Sequence, residues 1–206
     1  MEKPSEKFTV SAQKCVGLQY IFEVQIMIFI QHYDSPLGGI LLAADEIGTR
    51  GLWFDGQKYF ARDLPTARIE QNTPALAEAK RWLDIYFTGK EPDFLPPLHP
   101  VGSAFRQLVW EILLQIPYGK TTTYGEIARQ LAERTERPRM SAQAVGGAVG
   151  HNEISIIIPC HRVVGTNGSL TGYAGGLDKK VKLLELEHTG MNGFFVPKRA
   201  RRCEDG

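Results

Sequence analysis

Between Tyr20 and Ile30 apolar and polar residues alternate: Tyr20, Phe22, Val24, Ile26, Ile28 and Ile30 share one face, and Glu23, Gln25 and Gln31 fall on the other. A period of two predicts a half-buried strand. Asp34 to Gly39 is turn chemistry, Ile40 to Ala44 a second short strand, Glu46 to Thr49 another turn and Gly51 to Phe54 a third strand, so the segment reads as a β-meander. At Thr73 the period changes. Thr73 reads as an N-cap with Pro74 at the first helical position, and Leu76, Ala79, Leu83 and Phe87 recur at helical spacing until Gly89. Pro92, Pro96, Pro97 and Pro100 then mark a linker over 91–102, which places a domain boundary there.

Beyond the linker the pattern is helical. Ser103 caps a helix whose apolar stripe is Phe105, Leu108, Val109, Ile112, Leu113 and Ile116, and Pro117-Tyr118-Gly119-Lys120 stops it. Thr123 to Glu126 has the form of a capping box and opens a helix to about Ala132, with Ile127 and Leu131 inward. Ser141 caps a further short helix, Ala142 to Gly150, and two short helices in this order resemble a helix-turn-helix. The second one is unusual for a base-reading helix, because only Gln143 has reach and the rest is alanine, glycine and valine. Small side chains let a helix backbone come close to another helix or to a narrow groove, and the sequence leaves both readings open. Ile154 to Ile158 is an apolar, β-branched run that predicts a buried strand ended by Pro159. Gly165 to Gly176 is a glycine-rich loop with Tyr173 in it, and Leu177 to about His188 is a last helix using Val181, Leu184 and Leu183 or Leu186 before Gly190. The fold class is therefore α+β: a tail over 1–19, a mixed domain over 20–90, the linker, a mainly helical domain over 103–190, and a tail over 191–206.

Composition narrows the classes. With 206 residues, 43% of them hydrophobic, the chain can bury a core, and no run of about 18 apolar residues is available to span a membrane. The first nineteen residues mix both charges without the apolar centre of a signal peptide. Three widely spaced cysteines, Cys15, Cys160 and Cys203, argue for a reducing compartment, hence a cytoplasmic setting, and against a disulfide framework or a clustered zinc site. The net charge of +1 hides a bias: residues 1–119 carry −3 and residues 120–206 carry +4, so any polyanion should meet the C-terminal half.

The chemistry gathers at Pro159-Cys160-His161-Arg162. A thiol is a nucleophile as thiolate, and a flanking imidazole and guanidinium are surroundings expected to lower its pKa. With the preceding isoleucine run and the following Val163-Val164-Gly165, this motif resembles the O6-alkylguanine-DNA alkyltransferases, which repair alkylated guanine by moving the alkyl group onto their own cysteine in one irreversible turnover. The likeness covers about Ser103 to His188 and, more loosely, the meander.

That resemblance implies a ribonuclease H-like N-terminal domain, a winged-helix-like C-terminal domain, and duplex DNA bound through the minor groove by a monomer. No metal or organic cofactor is implied, and the N-terminal domain shows no clustered Cys and His for a structural zinc. Carried over by position, Cys160 is the acceptor, His161 removes its proton through a water, Glu187 orients the imidazole, and Asn152 braces the turn. Tyr124 helps to rotate the nucleotide out of the duplex and can protonate the departing guanine. Val163 reads the exocyclic amine through its carbonyl, Tyr173 and the Ala174 N–H close on the base, and Val149 walls the pocket. Ala142, Gln143, Gly146 and Arg162 complete the expected DNA-contacting set. Gln143 stands where many members carry an arginine, which implies weaker, less salt-dependent DNA binding. Competing readings are a cysteine hydrolase built on Cys160, His161 and Glu187, which needs an oxyanion hole, and a non-enzymatic binder of alkylated DNA, which would lack the cysteine. Residue by residue, Glu187 could instead be a surface ion-pair partner of Lys180 or Lys182, Tyr124 a core aromatic and Tyr173 loop packing.

Overall fold

The computed structural model describes residues 26–197. Tyr20, Phe22 and Val24 of the expected first strand, Cys15, Cys203 and the basic residues Lys198, Arg199, Arg201 and Arg202 lie outside it. Strand β1 (Phe29–Ser35) turns through Pro36-Leu37 into β2 (Gly38–Ala44), with Ser35 Oγ donating to Gly38 O at 2.6 Å across the turn. β2 pairs antiparallel with β3 (Thr49–Phe54), and the two-residue β4 (Ile69–Glu70) adds parallel to β1, for a sheet order β3-β2-β1-β4. Among the described residues of the expected first strand, β1 begins at Phe29 and leaves out Ile26, Met27 and Ile28. Its register pairs Phe29 with Ala44, and beyond Ala44 the chain turns at Asp45, so Ile26, Met27 and Ile28 have no β2 backbone to pair with.

β2 is buried on both faces. Ile40, Leu42 and Ala44 meet helix α1 (Pro74–Tyr86) through Leu76, Ala79, Leu83 and Tyr86, while Leu41 and Ala43 join Ile28 and Trp53 under Ala61 and Leu64 of the β3–β4 loop. Four serine or threonine caps act as their positions predict: Thr73, Ser103, Thr123 and Ser141 each accept a backbone N–H from the first turn of α1, α2 (Ala104–Leu114), α3 (Tyr124–Arg134) and α4 (Ala142–Gly150). The second half of the expected capping box is absent, because the Glu126 carboxylate pairs with Arg129 instead of reaching back to the cap. α2 packs on α4, where Trp110 Nε1 donates to Ala148 O at 3.1 Å. Strand β5 (Thr122–Thr123) runs parallel to β6 (Val163–Val164), which sets the start of α3 beside the Cys160 turn. Helix α5 (Leu177–Leu186) closes the domain with Leu183 and Leu184 in the core.

The Ile154–Ile158 run is not a strand. It is fully buried, but it makes one bridge only: Leu52 N donates to Glu153 O at 2.8 Å, and Ser155 N to Leu52 O at 2.9 Å. After that bridge the run folds on itself, with Ile156 at φ 69°, Ile157 N donating to Ser155 O and Ile158 N to Ile154 O. An all-apolar run reports burial but not conformation. The single bridge still matters, since it covers one end of the β3 edge, as Pro97 and His99 cover the other through Thr49. The N-terminal sheet is thereby fastened to the segment that carries the cysteine, and one continuous core of buried side chains joins the two halves.

Candidate active site

Asn152 builds the turn that presents the thiol. Its Oδ1 accepts from Ile154 N at 3.0 Å, and its Nδ2 donates to Ile158 O at 2.8 Å, more weakly to Ile154 O at 3.3 Å, and to Cys160 Sγ at 3.1 Å. A 3-10 turn over Cys160–Arg162 follows. Cys160 is 4% exposed. Burial pushes its thiol up from 9.0, and the Asn152 hydrogen bond and the Lys180 charge pull it down without overcoming that. The resting group is a thiol. The expectation that the neighbouring imidazole and guanidinium would lower its pKa fails because both are turned toward Glu187.

Glu187 caps the C-terminus of α5 and is 1% exposed, so it is no surface partner of Lys180 or Lys182. Its Oε1 accepts from His161 Nε2 at 2.7 Å, from the Tyr86 hydroxyl at 2.7 Å and from Arg162 Nη2 at 2.9 Å. Its Oε2 accepts from Arg162 Nε at 2.8 Å and from Gly119 N at 3.2 Å. Gly119 can approach so closely only as glycine: its φ is 68°, and a Cβ there would lie 2.7 Å from Glu187 O. Burial alone would raise the Glu187 carboxyl; the His161 and Arg162 hydrogen bonds and charges outweigh it and hold the group well below the usual carboxylate range. His161 is fully buried, and burial lowers its pKa below 6.5 despite the pull of Glu187. Because a carboxylate only accepts, Nε2 carries the imidazole proton and Nδ1 is left as a lone pair. Nδ1 is buried and has no hydrogen-bond partner among the described residues. Arg162, expected among the DNA-contacting residues, is 8% exposed and committed inward to Glu187 and to Ile116 O at 2.6 Å. It neutralises the buried carboxylate and leaves His161 neutral.

Around this core lie the remaining residues. Tyr124, at the first position of α3, donates its hydroxyl to Thr171 O at 3.1 Å, and burial with the nearby Cys160 pushes its pKa up to about 12. The Tyr173 ring stands edge-on to the His161 ring at 6.4 Å. Val149 and Val163 are buried. Lys180 is buried as well, its Nζ donating to Val163 O at 2.6 Å and to Thr171 O at 2.9 Å, and burial lowers its pKa to about 8. The Val163 carbonyl is thus already engaged by an ammonium.

The family model described as "6-O-methylguanine DNA methyltransferase, DNA binding domain" matches residues 104–189, and the one for the ribonuclease-like domain of the same family matches residues 28–100. A methylated-DNA–protein-cysteine methyltransferase of Methanosarcina acetivorans is 47% identical over 156 residues, covering 75% of this chain and 95% of that protein. Its namesake in Mycobacterium leprae is 43% identical over 161 residues, covering 78% of this chain and 93% of the relative. The chain belongs to the 6-O-methylguanine DNA methyltransferase family. A crystal structure of Mycobacterium tuberculosis OGT in complex with DNA superimposes with a TM-score of 0.67 at 41% identity, over 77% of this chain and 92% of that one.

In this methyltransferase fold the exposed face of α4 carries Ala142, Gln143 and Gly147, and the buried face carries Val145, Ala148 and Val149. Gly146 faces Tyr124, where a Cβ would sit 3.7 Å from the ring. A Cβ at Gly147 or Gly150 would meet nothing within 4 Å, so internal packing does not explain those two glycines. Ala174 is held by its carbonyl, which accepts from Lys58 N at 2.9 Å. Sequence reasoning missed Tyr86, Lys180 and the Gly119 N–H. Tyr86 reads as one more core aromatic of α1 and Lys180 as one of three near-consecutive surface lysines, Lys179, Lys180 and Lys182, so neither carried a local signal.

Proposed function

We propose that this protein repairs O6-alkylguanine in duplex DNA by transferring the alkyl group to Cys160, once per molecule. The observation that carries the reading is a buried thiol, held by Asn152, followed directly in the chain by a neutral His161 whose Nε2–H is fixed by Glu187. His161 Nδ1 takes the thiol proton through an intervening water as sulfur attacks the alkyl carbon. The C–S bond forms, the C–O6 bond breaks, and the Tyr124 hydroxyl, its pKa pushed up to about 12, stays protonated at neutral pH and donates a hydrogen bond to the leaving guanine as that anion takes up a proton from water. Lys180 adds positive charge near sulfur as the thiolate develops.

The target base must leave the stack to expose its O6 substituent. The open glycine face of α4 supports entry into the minor groove, with Gln143 as the side chain that fills the gap. The Val163 carbonyl keeps a second lone pair for the exocyclic amine, and Tyr173 and Ala174 line the loop side. Each element of the site comes from one chain, which supports action as a monomer. Incubation with a duplex containing O6-methylguanine should add one methyl to the peptide bearing Cys160, and Cys160→Ala should abolish it. Catalytic turnover of an ester or amide without such a mass gain would establish the hydrolase reading instead.

A further inference from the structure

The loop from Asp55 to Leu64, between β3 and β4, is fixed more firmly than a connection requires. Phe54 N and Ser155 Oγ both donate to Gln57 Oε1, at 3.0 and 3.2 Å, and Lys58 N donates to Ala174 O. Ala61 and Leu64 pack on the second core cluster. Two non-glycine residues in it adopt left-handed backbone, Tyr59 at φ 64° and Ala61 at φ 46°, a cost that persists only where surrounding structure imposes it. The result is to lay the Tyr59 ring flat on the His151 imidazole, with centroids 4.3 Å apart and planes 18° apart. His151 is the C-cap of α4, and its Nδ1–H donates to Gly147 O at 2.7 Å.

Two cations complete this plate: Lys58 Nζ lies 4.9 Å and the Arg62 guanidinium carbon 6.0 Å from the Tyr59 centroid. Both side chains are exposed, and neither forms a salt bridge among the described residues. Of the acidic neighbours, the Asp55 carboxylate lies against Gly39, and neither Asp55 nor Asp63 forms a salt bridge with Lys58 or Arg62 among the described residues. A cavity of about 220 Å³ opens here, between Lys58 and Tyr59 on one side and Gly147, Gly150, Gly172 and Ala174 on the other. Gly147 and Gly150 follow Gln143 at helical spacing, so the plate stands at the C-terminal end of the face that Gln143 begins. From Gln143 to His151 is ~12 Å along the axis, or three to four base steps at ~3.4 Å each.

We infer that Lys58, Tyr59 and Arg62 form a phosphate-binding plate through which the N-terminal domain grips the DNA strand carrying the extrahelical nucleotide, beside the loop that closes on the base. This rests on the reading that α4 enters the DNA groove. An exposed pair of cations, unneutralised and ordered by one aromatic face, fits phosphodiester oxygens. The Lys58–Ala174 bond joins the plate to the lesion-side loop, so DNA held by the ribonuclease-like domain is held in register with the site.

The test uses the full chain with Cys160→Ala, so that binding is read without transfer, and a short duplex containing O6-methylguanine. Lys58→Gln with Arg62→Gln should reduce the slope of log affinity against log salt by about 0.9 for each phosphate no longer neutralised, and weaken binding about tenfold or more at low salt. Lys58→Arg should keep the parental slope. Equal slopes in parent and double variant overturn the inference, and so does weaker binding with an unchanged slope, which would report a packing defect. Methylation of Cys160 in the unsubstituted chain is measured alongside. Its absence would sink the repair reading, whereas methylation with unchanged slopes sinks the plate alone.

Discussion

A buried cysteine is useful as a nucleophile only if its proton has somewhere to go. In the resting site burial keeps Cys160 as a thiol, and the same burial keeps His161 neutral and therefore basic. The two shifts are complementary. An acid raised above 9.0 and a base lowered below 6.5 hold their separate protonation states across the neutral range, and transfer waits for the attack itself. A reaction through pre-formed thiolate would accelerate tenfold per pH unit below the thiol pKa. Transfer to neutral His161 instead predicts a single-turnover rate that does not climb above neutral pH; it falls as His161 protonates, below 6.5, and again as Lys180 loses its charge around pH 8. Rapid-quench measurement of Cys160 methylation across that range checks this, and a continuous tenfold climb per unit would refute it. His161→Gln should lower the rate by about 10²–10⁴. Cys160 and His161 were legible from the motif, and Glu187 through the family resemblance that the motif carries, but the direction of the thiol shift was not. Sequence shows which groups are neighbours along the chain; only the turn of Asn152 and the hub of Glu187 show which way they point.

At the scale of elements, α4 is read correctly from Ser141 and from its composition, and the structure separates its glycines by what they meet. Gly146 meets Tyr124, whereas Gly147 and Gly150 border open space, so packing within the protein accounts for the first glycine and not for the other two. Gln143 is the one long side chain on α4 and carries no charge. Gln143→Arg should tighten binding to an O6-methylguanine duplex and steepen the salt slope by ~0.9, the value of one neutralised phosphate. Binding isotherms at several salt concentrations measure both, and an unchanged slope and affinity would remove Gln143 from the interface. The capped helices were legible because a hydroxyl bonding to the first turn is a local event within four residues. The Ile154–Ile158 run was not, because its conformation depends on which backbone groups Asn152 and β3 claim, and those choices are tertiary.

At the scale of the molecule, the two halves are joined through the site rather than beside it. Tyr86 from α1 donates to Glu187, and the β3 edge receives Glu153 and Ser155. Glu153 shows the strain of that seam: burial, with Asp63 nearby, raises its carboxyl from 4.5 to about 7, although Arg106 and Arg50 oppose the shift. A folded-state pKa above the unfolded value means that the folded protein takes up the proton first. Ionised Glu153 therefore destabilises the fold above about pH 7, and the penalty disappears as pH falls toward 4.5. Glu187 and His161 act in the opposite sense, since their lowered values make acid destabilising. Glu153→Gln should stabilise the protein at pH 8 by on the order of 1–3 kcal/mol, with the gain vanishing below about pH 4.5. Denaturant melts of parent and variant at both pH values check this, and a gain independent of pH would show that packing, not charge, is responsible.

The sequence by itself determined the α+β order of elements, the helix starts, and the family to which the Pro159–Arg162 motif belongs, because capping, periodicity and a contiguous motif are properties of neighbouring residues. Tertiary structure alone decided that Arg162 faces inward to Glu187, that Tyr86 and Lys180 enter the site, and that the β3–β4 loop meets α4 at Tyr59 and His151. Those pairings join residues 17 to 101 positions apart in the chain. Hydrogen-bond partners and desolvation, which set each pKa and each orientation, exist only once the chain has closed on itself.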